Sequence, residues 1–148
     1  MLAHSIILEL FVHPEEDQNK IIEKLLSLIP FDIKEEKVAL KRKSTFGFNQ
    51  ERIIVLSVTL TKKRHIEEFL ENFIKRIGDH TKKTMSKEID RRLDNKFNFY
   101  IRLDKQKLVD QGELEITEAG DCIYIKVKIA VFPQKRDKAI QEIENYLT

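Results

Sequence analysis

Between Phe97 and Asp104 the chain reads FNFYIRLD, and apolar and other residues alternate without a break. Successive side chains of a strand point to opposite faces. Phe97, Phe99, Ile101 and Leu103 therefore share one face, and Asn98, Tyr100, Arg102 and Asp104 share the other. Such a strand lays one face on a core and leaves the second to water or a partner. That pattern excludes an all-helical bundle and requires a second layer, of helices or of another sheet, to cover one side.

The chain supplies such helices. Ile66, Phe69, Leu70, Phe73, Ile74 and Ile77 recur at helical spacing, with Thr61 as a candidate N-cap and Gly78 as the stop. Pro14 is expected to open an earlier helix, with Glu15, Glu16 and Asp17 in its first turn and Ile21, Ile22, Leu25, Leu26 and Ile29 as its stripe. A weaker helix is expected over Thr81–Leu93, a short turn over Asp104–Asp110 ended by Gly112, and a last helix after Pro133. Strands are expected at Ser5–Val12, Ile33–Lys43, Ile53–Leu60, Glu113–Thr117 and Ile123–Val131, besides the one described. The first has apolar residues on both faces except at Glu9, as a central strand would. In the third, Ile54, Leu56, Val58 and Leu60 form one face. The last two read as a hairpin around Ala119-Gly120-Asp121. The expected architecture is α+β: a two-layer sandwich with a largely antiparallel sheet of about six strands and helices on one face, in a single domain over residues 1–148.

With 148 residues, the chain is long enough for a core without disulfides, and its lone Cys122 allows no intrachain bridge. Cys122 reads as a small buried residue. No segment approaches the roughly 18 apolar residues of a membrane span, and the N-terminus alternates like a strand rather than a leader. A cytoplasmic protein with no membrane partner is expected.

Charge is unevenly distributed. From Lys37 to Arg64 there are eight cations, Lys37, Lys41, Arg42, Lys43, Arg52, Lys62, Lys63 and Arg64, against the single anion Glu51, so this stretch carries +7 in a chain of net +2. Such a patch suits a polyanion; it also suits a solvated lysine-rich surface. Lys62, Lys63 and Arg64 fall in the first turn of one expected helix, and Lys135 and Arg136 in that of another. Cations there oppose the helix dipole, whereas free N–H groups beside cations favour a phosphate. Glu67, Glu68 and Asp137 are close enough in sequence to neutralise them instead. On the second face of the sheet, Tyr100 and Arg102 on one strand and Tyr124, Lys126 and Lys128 on another would form an aromatic and basic shelf if those strands adjoin. Phe46 and Phe48 flank Gly47 in the basic turn.

Catalytic patterns are weak. His4, His13, His65 and His80 have no paired metal spacing, and no glycine-rich phosphate loop occurs among four glycines. Asp90 and Asp94 share a helix face, but Arg91 and Arg92 beside them point to an ion-pair lattice. Asp104 suits a helix cap or a salt bridge. No cofactor and no metal is expected.

Several segments together resemble a known family: Phe99–Gln106 (FYIRLDKQ), His4-Ser5-Ile6, Val12-His13-Pro14, Phe46-Gly47-Phe48-Asn49, Leu60–Ile66 (LTKKRHI) running into Phe69-Leu70, Ala119-Gly120-Asp121, and Pro133-Gln134-Lys135-Arg136. The order is the same and nearly the whole chain is covered. The family is a group of small archaeal proteins described as predicted RNA-binding proteins, in places as predicted exosome subunits. The resemblance implies a fold similar to the large-subunit ribosomal protein that holds the 5S RNA, RNA binding, and no established catalysis. With the charge pattern, it makes Lys41, Arg42, Lys43, Lys62, Lys63, Arg64, His65, Tyr100, Arg102, Lys105, Lys135 and Arg136 the candidate RNA contacts. The expected function is a non-catalytic protein gripping structured RNA through phosphates, beside an RNA-processing or ribosome-assembly complex. The alternatives are an adaptor docking an acidic protein subunit, and a metal-dependent nuclease using Asp90, Asp94 or Asp104.

Overall fold

The computed structural model describes residues 2–148, the Phe48 side chain excepted. Along the chain lie β1 (Ala3–Val12), α1 (Gln18–Leu26), β2 (Leu40–Phe46), a 3-10 turn at Phe48–Gln50, β3 (Arg52–Leu60), α2 (Lys63–Lys87), α3 (Ile89–Arg92), β4 (Asn98–Asp104), α4 (Lys105–Gln111), β5 (Cys122–Ile129) and α5 (Arg136–Leu147). The strands form one open sheet in the order β2-β3-β1-β5-β4, with every neighbouring pair antiparallel. β1 is central, as expected, although its second face stays on the open side of the sheet.

The period-2 pattern decides which way the sheet faces. Ile6, Leu8, Leu10 and Val12 of β1 are buried, together with Leu56, Val58 and Leu60 of β3, Ile123, Ile125 and Val127 of β5, and Phe99, Ile101 and Leu103 of β4. They form one cluster with Ile21 and Leu25 of α1, Ile66, Phe69 and Phe73 of α2, Leu108 of α4 and Ile143 of α5. The helices therefore cover this side. Ser5, Ile7, Glu9 and Phe11 alternate with the buried set and are only half-buried. Gly78 (φ 81°) breaks α2 into two segments. Asp104 caps α4, accepting from the Lys107 N–H at 3.0 Å, and Gly112 ends it in the left-handed conformation. Cys122 is buried.

The sheet has five strands where six were expected. Glu113–Thr117 does not pair with β5. It lies along the outer edge of β4, where the Asp104 N–H donates to the Glu115 carbonyl and the Thr117 N–H to that of Arg102, around an isolated Leu103–Ile116 bridge. It blocks that edge without extending into a strand. β2 begins at Leu40 rather than Ile33, because Asp32 accepts from the amides of Lys34 and Glu35 and curls the segment into turns. α1 begins at Gln18, capped by Asp17, whose side chain accepts from the Lys20 N–H at 3.2 Å. Pro14, Glu15 and Glu16 thus precede the helix and are not in its first turn. α2 takes Lys62, not Thr61, as its N-cap residue.

Candidate nucleic-acid interface

Residues directly opposite one another in a ladder point to the same face. One row therefore crosses all five strands: Lys41, Ser57, Glu9, Tyr124 and Arg102, from β2 to β4. The next row toward one end runs Thr59, Ile7, Lys126, Tyr100, and beyond it Ser5, Lys128, Asn98. On the other side of the central row lie Lys43, Val55 and Phe11. These side chains all lie on the face opposite the helices. The shelf expected on β4 and β5 is thus formed, since Arg102 faces Tyr124 and Tyr100 faces Lys126. The Arg102 guanidinium lies 5.8 Å from the Tyr124 ring centre, and Phe11 packs against Tyr124 at 6.2 Å. Lys41, Lys43 and Arg102 are exposed. Cations therefore collect at the two flanks, with hydroxyls, apolar groups and one carboxylate between them.

Some groups on this face are partly engaged within the protein, the Lys128 ammonium by one of its three donors. The Tyr100 hydroxyl donates to Asp94 at 3.1 Å, and the Lys128 ammonium donates to the Lys96 carbonyl at 2.6 Å. Burial works against ionisation of Asp94, but hydrogen bonds from Asn98, Lys96 and Tyr100 prevail and hold its carboxyl below the usual range. Burial, then Asp94, pushes the Tyr100 phenol up. Arg42 points to the other side of β2, where the Gln18 amide, turned with its oxygen inward, accepts from it at 2.7 and 2.9 Å. Beyond Leu40, β2 is exposed along its whole length, and Phe46 at its tip is 69% exposed, with Arg52 6.0 Å from the ring centre. Gly47 closes this hairpin, since a side chain there would run into Ile53.

The helix starts are differently engaged. β3 and β5 both run antiparallel to β1, so the chain leaves the same end of the sheet toward α2 and α5. Arg64 pairs with Glu36. His65 is 1% exposed, bonds Glu36 at 2.9 Å and stacks on Phe31 at 4.4 Å. Lys63 lies 4.0 Å from Glu67. Arg136 donates to the Asp90 and Leu93 carbonyls at 2.7 and 2.9 Å and pairs with the Asp90 carboxylate at 3.1 Å, so it closes the end of α3. Lys62 and Lys135 occupy N-cap positions without a side-chain cap.

Lys105 lies at the opposite end of the sheet and is wholly buried. Its ammonium donates to the Phe11 carbonyl at 2.7 Å and to Glu16 at 2.8 Å, and it pairs with the Asp121 carboxylate at 2.7 Å. His13, Glu16 and Asp121 bring ligand-type atoms within 4.8 Å of one another. Two of the three, Glu16 and Asp121, are already paired with the Lys105 ammonium. Asp90 and Asp94 are likewise committed to protein partners. Arg91 grips Glu118 at 2.7 and 2.9 Å, while Arg92 is held by Glu88 at 2.6 Å, so the two arginines pair with glutamates and not, as expected, with Asp90 and Asp94.

Sequence reasoning found the shelf but not its extent. Phe11, Ser57, Thr59 and Glu9 join it because β1 and β3 lie between β2 and β5. The period-2 pattern of β3 was the available signal.

The fold and face define an α+β protein whose antiparallel sheet leaves one side open, flanked by cations. Residues 5–129 match the protein family described as RNA binding, and the chain belongs to that family. A protein of Pyrococcus abyssi named as an RNA-binding protein is 30% identical over 145 residues, spanning 98% of this chain and 94% of its own. A protein of Methanocaldococcus jannaschii is 30% identical over 149 residues, 96% of this chain and 95% of its own. Among solved structures, a DUF54 protein from Methanothermobacter thermautotrophicus is similar at 32% identity and a TM-score of 0.82, with all of both chains covered. No helix is long and apolar enough to cross a membrane among the described residues.

Proposed function

We propose that this protein binds structured RNA through the open face of its sheet, chiefly by phosphate contacts, without cleaving it. The observation that carries this reading is the row Lys41–Ser57–Glu9–Tyr124–Arg102, which sets exposed cations at both flanks of one uncovered surface. Lys43, Lys126 and Lys128 extend it, and membership of the RNA-binding family supports it. Lys62, Lys63 and Lys135 border the sheet end and widen the footprint. Buried Lys105 and His65, and the engaged Arg64 and Arg136, act on RNA only through the structure they hold. The candidate acids of a nuclease are occupied: Asp90 by Arg136, Asp94 by Asn98 and Tyr100, Asp104 as a helix cap. The RNA would belong to an RNA-processing or ribosome-assembly complex.

A labelled RNA hairpin titrated at several salt concentrations tests this. Affinity should fall linearly in log–log form as counterions are released. Replacing Lys41, Lys43 and Arg102 together by alanine should flatten the slope by about three, roughly one per lost phosphate contact. No binding at low salt, or an unchanged slope, would reject the reading. A second reading, an extended acidic protein segment docking on the exposed β2, predicts no RNA affinity and capture of such a partner.

A further inference from the structure

The distribution of charge over the open face says more than its sign. In the central row the cations stand at the ends, Lys41 on β2 and Arg102 on β4, four strand spacings or about 19 Å apart. Between them the face presents Val55, Ser57 and Thr59 of β3, Ser5, Ile7, Glu9 and Phe11 of β1, and Tyr124 of β5. Glu9 holds the midline, directly between Ser57 and Tyr124. A single strand crossing the sheet would bring its phosphates over that carboxylate, and like charges repel. A duplex offers the inverse pattern: two phosphate rows with a groove between them. The minor groove of A-form RNA is wide and shallow and displays 2′-hydroxyls and base edges, including the guanine amino donor. Hydroxyls and an acceptor at the midline, with cations at both flanks, complement such a groove.

We infer that the ligand is double-stranded A-form RNA, seated across the sheet by its minor groove. Lys41 and Lys43 take one phosphate row, and Arg102, Lys126 and Lys128 take the other. Ser57, Thr59 and Glu9 face the 2′-hydroxyls between them. This rests on the RNA-binding reading and specifies its substrate. The two cationic flanks are staggered along the strands, since Lys43 lies on the Phe11 side of the Glu9 row and Lys128 on the Ser5 side. The duplex axis therefore runs obliquely to the strands.

Fluorescence anisotropy of the full chain separates the possibilities. The probes are an RNA duplex of roughly 16 base pairs, the DNA duplex of the same sequence, and one unpaired RNA strand. The RNA duplex should bind at least about tenfold tighter than either, because B-form DNA has a narrow minor groove and lacks the 2′-hydroxyl. Glu9→Lys should weaken duplex binding or leave it unchanged. Glu9→Gln serves the same comparison if the lysine variant melts early. Equal or tighter binding of the unpaired strand, or a gain in affinity from Glu9→Lys, overturns the duplex assignment and leaves RNA binding standing. Failure of all RNA probes overturns both.

Discussion

Lys105 and Glu16 are 89 residues apart in sequence and 2.8 Å apart in space, and the lysine is the most completely buried charge in the fold. With Asp121 and the Phe11 carbonyl, the pair ties the turn before α1 and the start of α4 to the sheet. Breaking a buried pair leaves its partners uncompensated. Asp121 keeps about a third of its side chain in water, so the loss falls at the low end of the known range. Lys105→Met should destabilise the protein by about 3 kcal/mol in denaturant unfolding. The folded variant should keep its RNA salt slope. An altered slope with unchanged stability would move Lys105 to the ligand.

The same cluster makes stability depend on acid. Burial raises the Glu16 carboxyl, but hydrogen bonds from Lys105 and the His13 amide outweigh it and hold the group below its ordinary 4.5. A depressed folded value means that the contribution is present at neutral pH and is lost as pH falls through that value. Glu36 behaves likewise: its bond to His65, opposed by burial and aided by Arg64, lowers it from 4.5. Glu36→Gln should therefore melt earlier than the native chain at pH 7. The difference should shrink below about pH 4.5 as the native carboxyl protonates. A difference that persists unchanged at pH 2 would show that its charge is not what Glu36 contributes.

Arg136 distinguishes a structural cation from a ligand contact. Its guanidinium satisfies carbonyls at the end of α3 that have no helical partner of their own. Arg136→Ala should cost about 1.5–3 kcal/mol of stability, the range for hydrogen bonds to charged groups. Arg136→Lys should recover only part, because one ammonium cannot reproduce the planar fork. RNA titrations of the folded variants should keep the native salt slope; a slope lower by about one would place a phosphate on Arg136.

The faces of single elements were legible in the sequence, and their long-range partners were not. The alternation in β3 and β4 and the stripe of α2 named most of their buried residues, because each is a local periodicity; Ile54, Ile74 and Phe97 are only partly buried, and Asn98 is buried on the side expected to be open. Gly78, Asp104 and Gly112 were readable as stops and caps for the same reason. Competing local hydrogen bonds defeated two boundaries: Asp32 curls the chain that looked like the start of β2, and Asp17 rather than Pro14 opens α1. The expected hairpin partner at Glu113–Thr117 went to β4 because β1 and β4 already occupy both edges of β5, a long-range pairing that no local pattern announces. Among the site residues, the cations of β2, β4 and β5 followed from period 2 once strand order was known. Lys105, His65 and Arg136 looked like surface charges because Glu16, Glu36 and Asp90 lie 29 to 89 residues away.

The two helix starts offer a direct contest between stability and binding. Lys62 and Lys135 hold N-cap positions in extended backbone, yet neither side chain accepts from the helix amides. An aspartate at either place could bond an N2 or N3 N–H and complement the dipole. Lys62→Asp and Lys135→Asp should each stabilise the protein by about 1 kcal/mol, read as a higher denaturation midpoint at unchanged m-value. If these lysines border the RNA footprint, each variant should also lose affinity and lower the salt slope by about one. Stabilisation with native RNA affinity would confine the footprint to the sheet face. Without stabilisation, the open N-cap geometry would not be the reason a cation there is costly.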